Sequence, residues 1–144
     1  ANFAEYIQKN MKLYELNNDV ALTTHSTANF IRRELATALR KGPFQTNLLL
    51  AGHDTIGNEG AASLYWCDYM GAPSKGNFGA HGYAANFILS IFDRDYTPGM
   101  DLDGCLGIVK KCILELRTRF LISQPHFRIK IVDAEGTREI QMSE

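Results

Sequence analysis

The chain lacks an excess of either charge: 15 Lys and Arg residues against 16 Asp and Glu leave a formal net charge of −1. No basic stripe or cluster of cations interrupts that balance, which argues against nucleic acid or an anionic membrane surface as the main partner. Long apolar runs are missing too, and the longest falls well short of the roughly 18 residues that a helical membrane span needs. Cysteine is scarce, and Cys67, Cys105 and Cys112 are odd in number with no C-x-x-C spacing. Buried, reduced thiols fit that pattern better than a disulfide or a metal site, and they point to a reducing, intracellular setting. The opening stretch "ANFAEYIQKN" has no signal-peptide layout and no initiator Met, and it reads as helix from its first residues. Internal repeats, low-complexity segments and linkers are absent. What is present is an apolar fraction of 45% over 144 residues, enough for the core of one domain, residues 1–144.

Periodicity organises the chain into pairs of elements. Phe3, Tyr6, Ile7, Met11 and Tyr14 fall at helical spacing over Asn2 to Leu16, and Asn17 to Asp19 breaks the pattern. A second helix is predicted from about Ser26 to Arg40. Phe30, Ile31, Leu35 and Leu39 face inward, Arg32, Arg33 and Arg40 face outward, and Gly42-Pro43 ends it. "TNLLLAG" (Thr46 to Gly52) reads as a buried strand, "HDTIGNEGAA" as a polar loop, and "SLYWCDYM" (Ser63 to Met70) as the strand completing a hairpin. "GAPSKG" is a turn cluster. After Gly82 the run from Tyr83 to Phe92 is apolar except for Asn86 and Ser90, which predicts a helix covered on several sides. "DRDYTPGMD" reads as a loop. From Leu102 to Phe120 the helical spacing is strict and places Cys105 and Cys112 on the apolar side. "HFRIKIVDAEGTREIQM" closes as a hairpin around Asp133 to Gly136. Helix pairs alternating with hairpins indicate an α+β fold with antiparallel pairing.

The candidate chemistry does not assemble from residue types alone. His53-Asp54 could be a base and its orienting carboxylate. Neighbours on a strand point opposite ways, however, so a strand-end turn with Asp54 bonding to loop backbone is the better reading. His81, in "GAHG", sits where a glycine-rich turn opens a helix and could serve as base or donor. No nucleophile adjoins it and no carboxylate lies close in sequence, so a structural role is favoured. His25 and His126 stand alone, without metal-site spacing. Ser123 in "LISQP" lacks a G-x-S-x-G context, and "GNEG" and "GAPSKG" lack P-loop spacing. Asp93, Asp95, Asp101 and Asp103 lack the EF-hand spacing, and a helix cap at Asp101 or Asp103 explains them more simply. No cofactor or metal is expected.

Six stretches carry a resemblance: "FAEYIQKNMKLY", "FIRRELATALR", "QTNLLLAGHD", "LYWCDYMG", "GAHGYAANFILSIFDRDYTPGM" and "KIVDAEGTRE". In this order, over nearly the whole chain, they resemble the proteasome β-subunit family of N-terminal nucleophile hydrolases. The resemblance implies a four-layer αββα sandwich: two antiparallel sheets face to face, with helix pairs outside. It implies partners as well, namely other alpha and beta subunits in stacked seven-membered rings that degrade unfolded, ubiquitin-tagged proteins, in cytoplasm and nucleus. Active members use an N-terminal Thr with an Asp and a Lys from the first strands, and all three would precede Ala1. The family's extra strands before the first helix make this chain N-terminally incomplete by comparison, so the native protein is expected to be longer there.

Two supporting elements of active members should fall inside the chain. Counted back from Asp93, the supporting Ser at the start of the central helix falls on Tyr83. Counted back from the last hairpin, an Asp-x-x-Ser falls on Phe120 and Ser123. Phe cannot accept a hydrogen bond and Tyr is bulkier than Ser, so two of the three positions have lost the chemistry while Ser123 retains it. The resemblance therefore implies a non-catalytic, structural member. An active threonine peptidase with its nucleophile upstream of Ala1 is the alternative, and a stand-alone hydrolase or binding domain using His53 or His81 is a third reading.

Overall fold

The computed structural model describes residues 2–56, 59–119, 121 and 124–141. They fold as α1 (Asn2–Asn18), α2 (Thr24–Ala38), β1 (Leu48–Ile56), β2 (Glu59–Cys67), β3 (Pro73–Gly76), α3 (Ala85–Asp95), α4 (Leu102–Arg119), β4 (Ile129–Asp133) and β5 (Gly136–Ile140). Helices and antiparallel sheets together give the expected α+β class. The chain divides into two compact units, Ala1–Asn77 with Val132–Arg138, and Phe78–Ile131 with Glu139–Glu144.

In the first unit, β1, β2 and β3 form an antiparallel sheet in that order, with Leu48 opposite Cys67 and Leu50 opposite Tyr65. Alternation along the strands gives one face to Leu48, Leu50, Tyr65 and Cys67, and α2 packs there through Ala28, Ile31 and Leu35. Phe3 and Ile7 of α1 close the same cluster, one turn apart on the stripe read from the sequence. Asp19 stops α1 by taking a left-handed φ of 54°, where a short polar side chain is tolerated. Thr23 caps α2 by accepting from Ser26 N–H at 3.1 Å.

The sheet corrects three expectations. Most of "HDTIGNEGAA" is not a loop: β1 continues to Ile56 and β2 starts at Glu59, in register, with His53 opposite Ala62 and Asp54 opposite Ala61. Its polar and small residues mislead because ladder hydrogen bonds, not apolar burial, hold this exposed part of the hairpin. "GAPSKG" supplies β3, an edge strand whose Pro73 is tolerated because the outer edge needs no donor. The strand predicted to reach Met70 ends at Cys67, where the Asp68 carboxylate accepts from the Met70 and Ala72 N–H groups and turns the chain.

In the second unit α3 pairs with α4 around Ile91, Ile108 and Cys112, flanked by Phe92, Tyr96 and Met100. The expected all-round covering of α3 is not found: Ile91 is its one buried residue among those described, and Phe87 is exposed. Cys105 is likewise exposed rather than buried, since the buried line of α4 runs through Ile108, Cys112 and Leu116. Cys67 and Cys112 are free and buried, and burial pushes both thiols up from their ordinary pKa. Asp101 caps α4, its Oδ1 accepting from Gly104 N–H at 2.9 Å. β4 and β5 form the second, two-stranded sheet, and Glu135 N–H donates to Asp133 Oδ1 in its turn.

Asp95 ties the helix pair together. It accepts from Arg94 Nε at 2.7 Å and from Lys111 Nζ at 2.8 Å, and the two cations hold its carboxyl well below the usual carboxylate range. A folded pKa below the unfolded value stabilises the fold above the unfolded pKa, and the contribution fades as pH falls through the folded one. Asp95→Asn should therefore melt below wild type at pH 7, with the gap narrowing steadily below about pH 4. A gap that stays constant down to pH 2 would remove Asp95 from the acid response.

Candidate functional site

Tyr83 lies in the turn that leads into α3, and its side chain is 88% exposed. Gly82, at φ 91°, makes that turn in a region few other residues enter. Three backbone donors here are already used. Ala85 N–H donates to Gly82 O, and Phe87 and Ile88 N–H both donate to Ala84 O, at 3.1 Å each. Ala84 stands at the N-cap without a side-chain bond, so no hydroxyl or carboxylate organises the start of the helix. His81 is half-buried beside it. Phe120 and Ser123, the other two sequence-predicted positions, lie outside the described residues.

A second place gathers more polar groups, at the start of α2 in the first unit. A cavity of about 260 Å³ is lined there by Thr24, Gly52, His53, Asp54, Asp133 and Thr137, among others. Both oxygens of Asp54 lie 3.0 Å from Thr24 N–H, so the carboxylate serves as an acceptor for the first turn of α2. His53 points to the other face of β1, with its ring against Gly60. The pair therefore does not cooperate, as strand alternation predicted. Asp133 is paired with Arg138, whose guanidinium holds the carboxyl below its ordinary range, with help from the Glu135 N–H. A carboxylate held ionised in this way is a poor proton acceptor near neutral pH. The cavity thus has acceptors that are already engaged. Among the described residues no group of three or more His, Cys, Asp or Glu could hold a metal ion.

His25 is not isolated, contrary to the reading of the sequence. Asn29 Nδ2 lies 3.0 Å from His25 Nε2, and Tyr65 Oη lies 3.1 Å from His25 Nδ1. With the Asn29 amide donating to Nε2, Nδ1–H donates to the largely buried phenol. The i, i+4 spacing of His25 and Asn29 was visible in the sequence, but Tyr65 comes from β2 and carries no local signal. This chain of side chains pins α2 to the sheet and includes no nucleophile.

The comparisons bear on these geometries. The family profile described as "Proteasome subunit" matches residues 1–132. The chain is 49% identical over 137 residues to the protein named proteasome subunit beta type-2-B of Arabidopsis thaliana, covering 95% of this chain and 67% of that one. It is 48% identical over 137 residues to proteasome subunit beta type-2 of Oryza sativa subsp. japonica, covering 95% of this chain and 63% of the relative. With proteasome subunit beta type-4 of Saccharomyces cerevisiae the identity is 37% over 139 residues, covering 96% and 69%. The chain thus spans about two thirds of the length of the curated relatives it matches.

Proposed function

The chain belongs to the proteasome subunit family, with relatives named as beta-type subunits, and on that premise we propose that it is a non-catalytic, structural beta subunit. Its work is to complete stacked seven-membered rings with other alpha and beta subunits and so to enclose the chamber in which ubiquitin-tagged proteins are degraded. In this reading the three-stranded and two-stranded sheets belong to the inner layers of a four-layer αββα sandwich, and the protein resides in cytoplasm and nucleus.

Tyr83 carries the non-catalytic reading. Where the resemblance calls for a small hydroxyl at the start of the central helix, the chain has a phenol that is 88% exposed, beside backbone donors already used in the turn. A solvated phenol is a poor partner for a proton transfer at neutral pH. The engaged carboxylates of the second cavity offer no substitute.

The test is an N-terminal-threonine-directed covalent inhibitor applied to the intact particle, followed by mass spectrometry of each subunit. Other beta subunits should gain the adduct and this one should not. An adduct on this subunit would establish the active-peptidase alternative.

A further inference from the structure

Helix α2 and the turn that follows it carry an unpaired cationic face. Arg32, Arg33 and Arg40 are all exposed, and none makes an ion pair or side-chain hydrogen bond among the described residues. Lys41 follows directly and is also unpaired. The single acid of the helix, Glu34, is engaged elsewhere, accepting from Tyr6 Oη at 3.1 Å. The balanced total of the sequence therefore conceals a local surplus.

A solvated helix face ordinarily interleaves opposite charges at i, i+4. Here the residues one turn beyond Arg32 and Arg33 are Ala36 and Thr37, both exposed, and Arg40 stands one turn further on. Leu39, 41% exposed, adds an apolar edge. The guanidinium groups line a shallow depression together with Leu39, and arginine is enriched in protein interfaces. The helix macrodipole favours cations at Arg40 and Lys41, just beyond the C-cap Leu39, but it does not account for Arg32 and Arg33 further back. Guanidinium forks match carboxylates two oxygens at a time, and small neighbours let a partner's backbone come close.

We propose that Arg32, Arg33 and Arg40 form a docking surface for a carboxylate-rich face of a neighbouring protein subunit. This rests on the reading of the chain as a ring subunit. An acidic protein surface is favoured over a polyanion because three arginines, two on α2 and one just past its C-cap, match a few carboxylates, whereas a nucleic acid or membrane would call for a longer stripe.

The experiment compares tagged full-length subunits in cells, wild type against Arg33→Glu/Arg40→Glu and Arg33→Lys/Arg40→Lys, by the amount of each that co-purifies with assembled particle. Charge reversal should lower incorporation at least tenfold, while the lysine pair retains most of it. The lysines also report the neighbour directly: zero-length carbodiimide coupling of the assembled particle should join residue 33 or 40 to an Asp or Glu of another subunit, identified by mass spectrometry. The coupling needs no destabilising variant, so misfolding of the reversed protein cannot imitate its result. Wild type absent from the particle would sink the ring-subunit reading and this proposal with it. Wild type present, with full incorporation of the reversed variant and no cross-link, would overturn the docking surface alone. Heparin retention that disappears on charge reversal while incorporation is unchanged would also overturn it, in favour of a polyanion.

Discussion

Leu35→Ala is expected to lower the free energy of unfolding by about 2–5 kcal/mol, one of the two largest losses foreseen for a single substitution in this chain. Leu35 is 1% exposed at the centre of the first unit, where it meets Phe3, Ile7, Ile31, Tyr65 and Cys67. These neighbours belong to three elements: two to α1, one to α2 itself and two to β2. A void there cannot close by moving one element, so both the transfer term and the cavity term apply. Leu39, one turn on, is 41% exposed, and its replacement by Ala should change stability by no more than about 0.5 kcal/mol. Urea titration of both variants decides the matter. Equal midpoints would mean that the α1–α2–sheet cluster is not the stabilising core.

Gly52→Ala is the second large effect, and it works through contact rather than cavity. A Cβ at Gly52 would stand 1.9 Å from Thr24 Oγ1 and 2.8 Å from Thr24 Cβ. Thr24 is itself buried at the first turn of α2, so it cannot swing into solvent. Relief requires α2 to lift from β1, and that movement would also stretch the bonds from Thr24 N–H to Asp54. Overpacking of this kind costs about 1–3 kcal/mol, and loss of the helix-end acceptor adds about 0.5–2 kcal/mol. Thr24→Ala in the Gly52→Ala background removes the two nearest clashes, with the hydroxyl and the methyl, and should restore part of the loss. Gly52→Ala melting at the wild-type temperature would show that α2 and β1 do not approach as closely as described.

The same two residues illustrate how far local pattern reaches. Leu35 was legible as inward-facing because the spacing of Phe30, Ile31, Leu35 and Leu39 is helical, yet only contact with the sheet separates buried Leu35 from exposed Leu39. Gly52 looked like the end of a strand. It is instead the place inside β1 where a helix comes within a side chain's width. The polar segment after it has the composition of a loop yet pairs as strand, because β pairing is a non-local bond whose partner the local composition does not name. Cys105 was misplaced for a related reason. Its spacing put it on the apolar side of α4, but α3 covers only the line through Ile108 and Cys112.

At the candidate site, Tyr83 was singled out by its distance from Asp93 and by resemblance to a family, and the structure supplied its exposure and the used donors beside it. The engagement of Asp54 by Thr24 and the link from His25 to Tyr65 join residues 30 and 40 positions apart, and no periodicity announces either.

Sequence by itself determined the four helices, the final hairpin and the family, because each follows from residue order or from hydrophobic spacing within a few turns. Tertiary structure alone decided which apolar residues are buried, where Gly is obligatory, which carboxylates are already spent, and that three arginines on α2 and the turn after it remain unpaired. Those properties depend on which surfaces meet, and a surface is a neighbour only after the chain has folded.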